Sequence, residues 1–267
     1  MTYWRYWKMS EPPFANTPRQ RIHLGETVDE AVARVEFLVS NRRRLGLLIG
    51  PSGCGKTAVL RHMAGNPPRG DDVTVIHAAR LSLMGMASGD LWRELASVLV
   101  GGNRGGDARA CWWQLNDFLR GQWADGGQYI LLFDDVENGS LPVQTDLCRL
   151  LSSELPITVV LAVGQEAFGA VIAELRDRAD LIIDLPAWTR EQTQQFLQWS
   201  MERVGIEGDL FTETAIDALH AVSGGIARFV IQVAELALVA AAVDKGTRVE
   251  AGHVEQVACE IARARAA

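Results

Sequence analysis

The sequence predicts an α/β fold, in which a parallel five-stranded sheet covered by helices is followed by a smaller subdomain made only of helices. Two observations carry this prediction. Five short, apolar segments alternate with helical segments between residues 45 and 184. Strands that have no solvent-exposed face are typical of parallel sheets with helices on both sides. Beyond Pro186, four helical segments follow one another without a strand.

The individual elements are predicted from the spacing of apolar residues. Three- and four-residue spacing indicates a helix over residues 28–38, ahead of the run Arg42-Arg43-Arg44. The five predicted strands are 45–49, 73–77, 129–133, 157–163 and 181–184, and the helices among them are 58–64, 89–100 and 110–123. We expect Trp112, Trp113 and Trp123, which lie in the last of these helices, to pack in the core.

The C-terminal part is predicted to begin near residues 185–188 and to contain helices 190–204, 212–223, 228–243 and 250–265. Its most apolar stretch, residues 229–243, contains Gln232 and Glu235. That stretch is shorter than the roughly 20 apolar residues that a membrane span requires. We therefore interpret it as a buried helix.

Net charge, cysteine spacing and the N-terminal residues limit the classes of protein to which this chain could belong. A formal charge of −7 and a pI near 5.3 argue against a protein that coats nucleic acid through bulk positive charge, but a local basic patch would be compatible with them, so DNA stays open as a partner. Four scattered cysteines, Cys54, Cys111, Cys148 and Cys259, lack the spacing of a metal site and indicate reduced thiols. The N-terminus lacks the apolar core of a secretory signal, so we expect a cytoplasmic protein.

The strongest motif is a glycine-rich loop, Gly50-Pro51-Ser52-Gly53-Cys54-Gly55-Lys56-Thr57, which fits the Walker A pattern GxxxxGK[ST] and lies between a predicted strand and a predicted helix. Glycines let successive backbone N–H groups turn toward phosphates, and the following helix adds the positive end of its dipole. We expect this P-loop, with Ala58, to bind ATP. Lys56 would contact the β- and γ-phosphates, and the Thr57 hydroxyl would bind Mg²⁺.

A second motif follows the predicted strand 129–133. Asp134 is placed to hold Mg²⁺ through its water shell, and Asp135 occupies the position at which most such ATPases carry a glutamate that polarises the attacking water. Aspartate is one methylene shorter, so we expect hydrolysis to be slow or to depend on a partner that tightens the site. Glu137 is a weaker candidate for the same task.

Two further positions are candidates for contact with the γ-phosphate. Gln165, after the fourth strand, could hydrogen-bond the phosphate or the attacking water as a sensor, or could belong to a plain turn. Arg176 and Arg178 lie at a predicted helix end and could stabilise charge on a neighbouring subunit's nucleotide, or could be solvated surface arginines.

Together these features resemble the AAA+ ATPases of the ExeA/GspA type, from type II secretion and pilus biogenesis, and the related TniB/TnsC-type transposition ATPases. The likeness spans nearly the whole chain. It includes the segments Glu11-Pro12-Pro13-Phe14, 29–38, the P-loop, the Asp134 strand, Val163-Gly164-Gln165, 175–178, 189–196 (similar to a PLSxxET helix start) and Ser223-Gly224-Gly225-Ile226-Ala227-Arg228 (similar to an SGGxPR turn).

The resemblance implies roles for individual residues. Arg228 would be the sensor-2 arginine that reaches the phosphates from a helical lid, and Arg178 matches the arginine-finger position better than Arg176 does. The Pro-Pro-Phe segment would pack near the adenine or act as an N-terminal brace. Ala227 stands where the family has proline, and Asp135 where it has glutamate.

The resulting division is an N-terminal brace and helix (1–44), a P-loop nucleotide-binding core (45–186) and a helical lid (187–267). Secretion members of the family can carry a membrane span and a peptidoglycan-binding region after the ATPase domain, and neither is expected within these 267 residues. We therefore do not assume that the secretion role is inherited with the likeness.

Two functions remain in competition. The first is an oligomerising, magnesium-dependent ATP hydrolase that assembles or remodels a protein complex of the secretion, pilus or transposition type. The second is a slow nucleotide switch that assembles on DNA. A small-molecule kinase is less favoured, because the chain ends in a helical lid and lacks an obvious acceptor-site motif.

Overall fold

A computed structural model describes residues 2–14, 25–68, 75–101 and 107–266 of the chain. Its strands are β1 Leu45–Gly50, β2 Val75–Ser82, β3 Gly127–Asp134, β4 Ile157–Gly164 and β5 Leu181–Asp184. The described helices are α1 Tyr3–Tyr6, α2 Glu26–Ser40, α3 Lys56–Gly65, α4 Asp90–Val100, α5 Ala108–Ala124, α6 Leu141–Ser152, α7 Ala173–Asp177, α8 Arg190–Arg203, α9 Glu213–Ser223, α10 Ala227–Val243 and α11 Ala251–Ala266.

The chain groups into two compact units. The sheet unit comprises Glu26–Ser52 and Lys56–Leu185, and the helical unit comprises Met1–Gly25, Gly53–Gly55 and Pro186–Ala267. The proposed segment 1–44 is thus shared between them, because α1 belongs to the helical unit while α2 packs on β1 and β5 in the sheet unit. The three-part division by function stays a proposal.

The sheet is parallel throughout and has the strand order β2-β3-β4-β1-β5. Strands β1, β3 and β4 are buried along their whole length, as expected for the centre of a sheet with helices on both faces. This confirms the predicted five-stranded α/β fold. Because all strands run the same way, the residues that follow β1, β3 and β4 meet at one edge of the sheet.

Strand β2 differs most from its prediction. The predicted segment 73–77 overlaps β2 only from Val75, since residues 73 and 74 lie outside the described ranges, and the strand continues to Ser82. β2 is an edge strand in which exposed or half-buried positions are interspersed with buried ones, so polar residues such as Arg80 fit it. Because the apolar run is interrupted by polar residues, the predicted strand ends at residue 77 although β2 continues to Ser82.

The structure differs from the sequence prediction in two other places. Helix α6 was not predicted, although Pro142 lies in its first turn, where proline is favoured. Trp113 and Trp123 are 55% and 39% exposed, so the expectation that all three tryptophans of α5 lie in the core is wrong for these two. Trp112 does pack, with its ring centroid 4.6 Å from that of Trp92.

The helical unit is held together by α8 to α11 and by the N-terminal residues. The Trp7 indole donates a hydrogen bond to the carbonyl of Leu238 (3.1 Å), and the Tyr6 hydroxyl donates to that of Gly246 (2.9 Å). Helix α10 buries its apolar face among the other helices, which confirms the buried helix expected over residues 229–243. None of the helices in the described ranges has the length and apolarity needed to cross a membrane.

Candidate functional site

The P-loop connects the buried end of β1 to the first turn of α3. Gly53 and Gly55 have φ angles of +86° and +112°, which favour glycine, and a side chain added at Gly55 would point into open space. The Lys56 ammonium donates to the carbonyls of Gly50 (2.7 Å) and Pro51 (3.0 Å). In the part of the chain that the structure describes, Lys56 has no carboxylate partner, so its charge fits an anionic ligand at the helix N-terminus.

Asp134 ends β3 at the same edge of the sheet as the P-loop. The residue is 2% exposed, and one carboxylate oxygen lies 3.3 Å from the guanidinium of Arg80 on β2. The other oxygen accepts the backbone N–H of Asp135 (3.2 Å). Helix α3, which carries Thr57, packs on both β1 and β3, so the two proposed magnesium ligands belong to elements in direct contact.

The Asp135 carboxylate is bonded toward β2, the strand at the edge of the sheet. Its backbone is left-handed (φ +56°), and its carboxylate accepts the hydroxyl of Ser82, the last residue of β2, at 2.8 Å. In the strand order, β2 lies on the opposite side of β3 from β4 and β1. The Asp135 carboxylate is therefore bonded on the side away from the strand that leads into the P-loop.

Glu137 connects the ends of two strands. One carboxylate oxygen, Oε1, accepts the backbone N–H of Gly164 at 2.9 Å, and Gly164 is the register partner of Gly50 at the start of the P-loop. The other oxygen, Oε2, is buried and has no hydrogen-bond partner among the residues that the structure includes. Sequence reasoning ranked this residue below Asp135.

The proposed sensor residue Gln165 directly follows β4 and begins the 3₁₀ turn Gln165–Ala170. Its side chain is exposed, and it makes no hydrogen bond within the described ranges. The position at the strand end suits a sensor, and the assignment stays a prediction.

The two candidate finger arginines differ in their surroundings. The Arg178 guanidinium donates to the hydroxyl of Ser152 (2.7 Å) and pairs with Glu174 (2.8 Å), four residues earlier. The Arg176 guanidinium lies over the ring of Phe168, and its Nε is buried without a partner in the part of the structure described. Both arginines are on the sheet unit, and neither assignment is tested by these contacts.

Arg228 lies in the first turn of α10, within the helical unit. Its backbone N–H donates to the carbonyl of Gly53 (3.0 Å), and a Cβ added at Gly53 would lie 3.1 Å from that of Arg228. The preceding turn is tight, because the Trp188 N–H donates to the carbonyl of Gly225 (2.8 Å). The turn that the sequence pointed to thus brings Arg228 beside a P-loop glycine.

Sequence reasoning missed Arg80 and Ser82, which bond Asp134 at the end of β3 and Asp135 directly after it. Ser82 is the register partner of Asp134, and Arg80 lies two residues earlier on the same face. Both are polar residues of β2, and the polar positions of that strand were not considered as candidate site residues. Their partners are more than 50 residues away in sequence. The two-residue spacing of Arg80 and Ser82 indicates that they share one face of a strand, but it does not identify the strand that they contact.

The residues present fit a magnesium–nucleotide ligand. Among the residues that the structure covers, no cluster of three or more histidine, cysteine, aspartate or glutamate side chains could hold a metal ion alone. Mg²⁺ is often bound by one or two protein oxygens together with water and phosphate oxygens, for which Thr57 and Asp134 would suffice.

Comparisons with known proteins agree with this geometry. Residues 39–171 match the family model described as an AAA domain. The chain is 23% identical to general secretion pathway protein A of Aeromonas hydrophila over 98% of its own length and 49% of that relative, so it spans about half of the relative. This match confirms the resemblance to the ExeA/GspA-type ATPases.

Solved structures share the fold. The ORC1 protein of Aeropyrum pernix, solved in complex with DNA, matches 97% of this chain and 69% of its own with a TM-score of 0.69 and 18% identity. The Thermotoga maritima RuvB Holliday junction branch migration motor matches 89% of this chain and 69% of its own, with a TM-score of 0.58 and 18% identity. These similarities concern the fold alone.

Proposed function

We propose that this chain, whose residues 39–171 match the model of an AAA domain, binds and hydrolyses ATP and uses the cycle to assemble or remodel a partner complex. The observation that carries this proposal is the P-loop itself. Lys56 begins a helix just after two glycines with positive φ and is bonded only to backbone carbonyls, while a buried aspartate ends a nearby strand.

Each residue has a task in this proposal. The backbone N–H groups of residues 50–58, except Pro51, which has none, hold the phosphates, and Lys56 neutralises charge on the β- and γ-phosphates. Thr57 and Asp134 would hold Mg²⁺, which would supply charge stabilisation at the phosphoryl group. Gln165 contacts the γ-phosphate as a sensor. Arg228 is assigned the sensor-2 role that its likeness to the SGGxPR turn implies.

The partner is proposed to be a protein assembly. The Aeromonas relative is named for the general secretion pathway, which supports an envelope-associated assembly as the first candidate. DNA is the alternative ligand, since the Aeropyrum ORC1 protein of similar fold was solved with DNA. In that case the chain would act as a slow nucleotide switch that assembles on DNA.

The state of the cysteines supports our proposal that the protein is located in the reducing cytoplasm. None of the four cysteines forms a disulfide in the described ranges; Cys54, Cys111 and Cys148 are buried, and Cys259 is exposed. Burial raises the pKa of the Cys148 thiol, which keeps it neutral near pH 7. Free thiols of this kind are typical of a reducing compartment.

One experiment tests the function and separates its two forms. ATP turnover is measured with and without double-stranded DNA, and particle size is measured by light scattering with a non-hydrolysable ATP analogue. A protein-remodelling ATPase should hydrolyse ATP and form larger particles without DNA. A DNA-dependent switch should form larger particles only when both DNA and nucleotide are present. A chain that binds no ATP under any of these conditions would contradict the proposal.

A further inference from the structure

We propose that Glu137, rather than Asp135, positions the water that attacks ATP and accepts its proton. The inference rests on the ATPase function proposed above and assigns a catalytic residue within that site. It follows from where the two carboxylates are bonded and from a buried oxygen of Glu137 that has no donor among the residues the structure describes.

The first step concerns Asp135, the residue directly after Asp134. Its carboxylate is bonded to the hydroxyl of Ser82 (2.8 Å) at the end of β2. Strand β2 is the edge of the sheet, separated from β1 by β3 and β4. A water beside the γ-phosphate must lie near the P-loop, which follows β1, so this carboxylate is bonded on the wrong side of β3.

The second step concerns the position of Glu137. Its Oε1 accepts the N–H of Gly164 at 2.9 Å, and Gly164 is paired in register with Gly50, where the P-loop begins. The carboxylate thus lies at the end of β4, the strand next to β1. Gly164 leaves room for it, since a Cβ added there would be 2.8 Å from Oε1.

The third step concerns the free oxygen. Oε2 of Glu137 is buried and has no hydrogen-bond partner in the described part of the chain. A buried acceptor without a donor costs about 1–3 kcal/mol, and most such groups in folded proteins have a partner. The partner expected beside a P-loop is the attacking water, because Oε1 is already held by Gly164 and keeps the carboxylate oriented.

The chemical step balances without a further reactant. The water oxygen forms a bond to the γ-phosphorus, and the bond between that phosphorus and the oxygen bridging to the β-phosphorus breaks. One water proton moves to Oε2 of Glu137 and then to solvent or phosphate. The products are ADP and inorganic phosphate, and Glu137 returns to its charged form.

The test compares three variants of the whole chain. In Glu137→Gln the amide oxygen can still accept the Gly164 N–H, so the tie between the strand ends is kept while the base is lost. We expect turnover to fall about 100-fold, as is typical for the loss of a general base, with ATP affinity changed by less than about threefold. Asp135→Asn should lose less. Glu154→Gln, an exposed residue before β4, is the matched control.

A second measurement does not depend on turnover. ADP with aluminium fluoride mimics the transferring phosphoryl group with the attacking water in place, whereas ADP with beryllium fluoride mimics bound ATP. A residue that holds the water contributes to the first complex alone. Glu137→Gln should therefore weaken the aluminium fluoride complex about 10-fold or more and change the beryllium fluoride complex by less than about threefold.

The outcomes separate this inference from the function on which it rests. If the wild-type chain binds neither complex, both the ATPase function and the role of Glu137 are wrong. If wild type binds both and Glu137→Gln behaves like Glu154→Gln, Glu137 is only a structural tie between β3 and β4. A larger loss in Asp135→Asn than in Glu137→Gln would return the role to Asp135.

Discussion

At the scale of single residues, Lys56 holds a positive charge in the P-loop with backbone carbonyls as its partners. Lys56→Ala should weaken ATP binding at least about 10-fold, because a hydrogen bond to a charged group contributes about 1.5–3 kcal/mol. The fold should be retained, since the side chain is only half-buried and its hydrogen bonds go to carbonyls five and six residues earlier in the same loop. Titration with a fluorescent ATP analogue and thermal unfolding measure the two effects.

Arg61→Ala is the matched control for Lys56, because Arg61 is an exposed cation on the same helix. It should change neither affinity nor melting temperature appreciably. Equal affinity in the Lys56→Ala variant and wild type would contradict the P-loop assignment.

Asp134 supports a prediction about magnesium. With EDTA, the affinity of wild type for ATP should fall at least about 10-fold, which corresponds to about 1.4 kcal/mol. In Asp134→Asn the difference between Mg²⁺ and EDTA should shrink to less than about threefold, because the proposed carboxylate near the ion is lost. The variant also removes the ion pair with Arg80, so its melting temperature is recorded without nucleotide.

A result in which Asp134→Asn keeps the full magnesium dependence would move the proposed ion away from β3. The carboxylate of Asp134 would then serve mainly to neutralise Arg80.

At the scale of an element, the turn before α10 depends on Gly225. The residue has a φ of +70°, and a Cβ added there would lie 2.1 Å from the carbonyl oxygen of Trp188. Left-handed backbone geometry alone costs a non-glycine residue about 1–2 kcal/mol. Gly225→Ala should lower the free energy of unfolding by more than this amount. Urea unfolding followed by circular dichroism gives the difference.

Gly224 provides the matched comparison, because it also has a positive φ (+58°) but a Cβ there would meet no atom within 4 Å. Gly224→Ala should therefore cost only the strain of the backbone, about 1–2 kcal/mol. If both variants lose equal stability, the close approach to Trp188 does not determine the turn.

Helix ends in this unit also follow local rules. Thr189 caps α8 through a reciprocal pair of hydrogen bonds with Gln192, and Thr212 caps α9 through its hydroxyl. Such caps are readable in sequence, which explains why the helices after Pro186 begin within a residue or so of their predicted starts.

At the scale of the whole molecule, we predict that Arg178 acts on the nucleotide of a neighbouring copy. Arg178→Ala should bind ATP normally but hydrolyse it poorly at any concentration. Mixing it with Lys56→Ala should restore part of the activity, because the Lys56→Ala copies can donate Arg178 to a neighbour with an intact P-loop. To reach a neighbour, Arg178 would exchange its bonds to Ser152 and Glu174.

The mixing experiment has a clear contrary result. If no activity returns and the specific activity of wild type stays constant across a hundredfold dilution, Arg178 is a surface residue. Arg176→Ala is tested in parallel, because its guanidinium stacks on Phe168 and its Nε is buried without a partner in the described chain. Rescue through Arg176 alone would reassign the finger and leave the ATPase proposal unchanged.

The sequence alone determined the elements and motifs that lie within short stretches of chain. The P-loop, the Asp134 strand and the four C-terminal helices could be located because glycine spacing, apolar runs and caps act over a few residues. The parallel sheet followed from strands that are apolar on both faces. The edge strand β2 was placed poorly because its alternating pattern is weaker.

Only the tertiary structure decided which side chains meet at the carboxyl edge of the sheet. The strand order places β4 between β3 and β1, so Glu137 meets Gly164, 27 residues away, beside Gly50. The same order places Ser82 against Asp135, 53 residues away. A residue's own neighbours in sequence do not specify these partners, because parallel strands are paired by packing and register across long connections. For that reason the sequence indicated an ATPase site, while the choice between Asp135 and Glu137 required the fold.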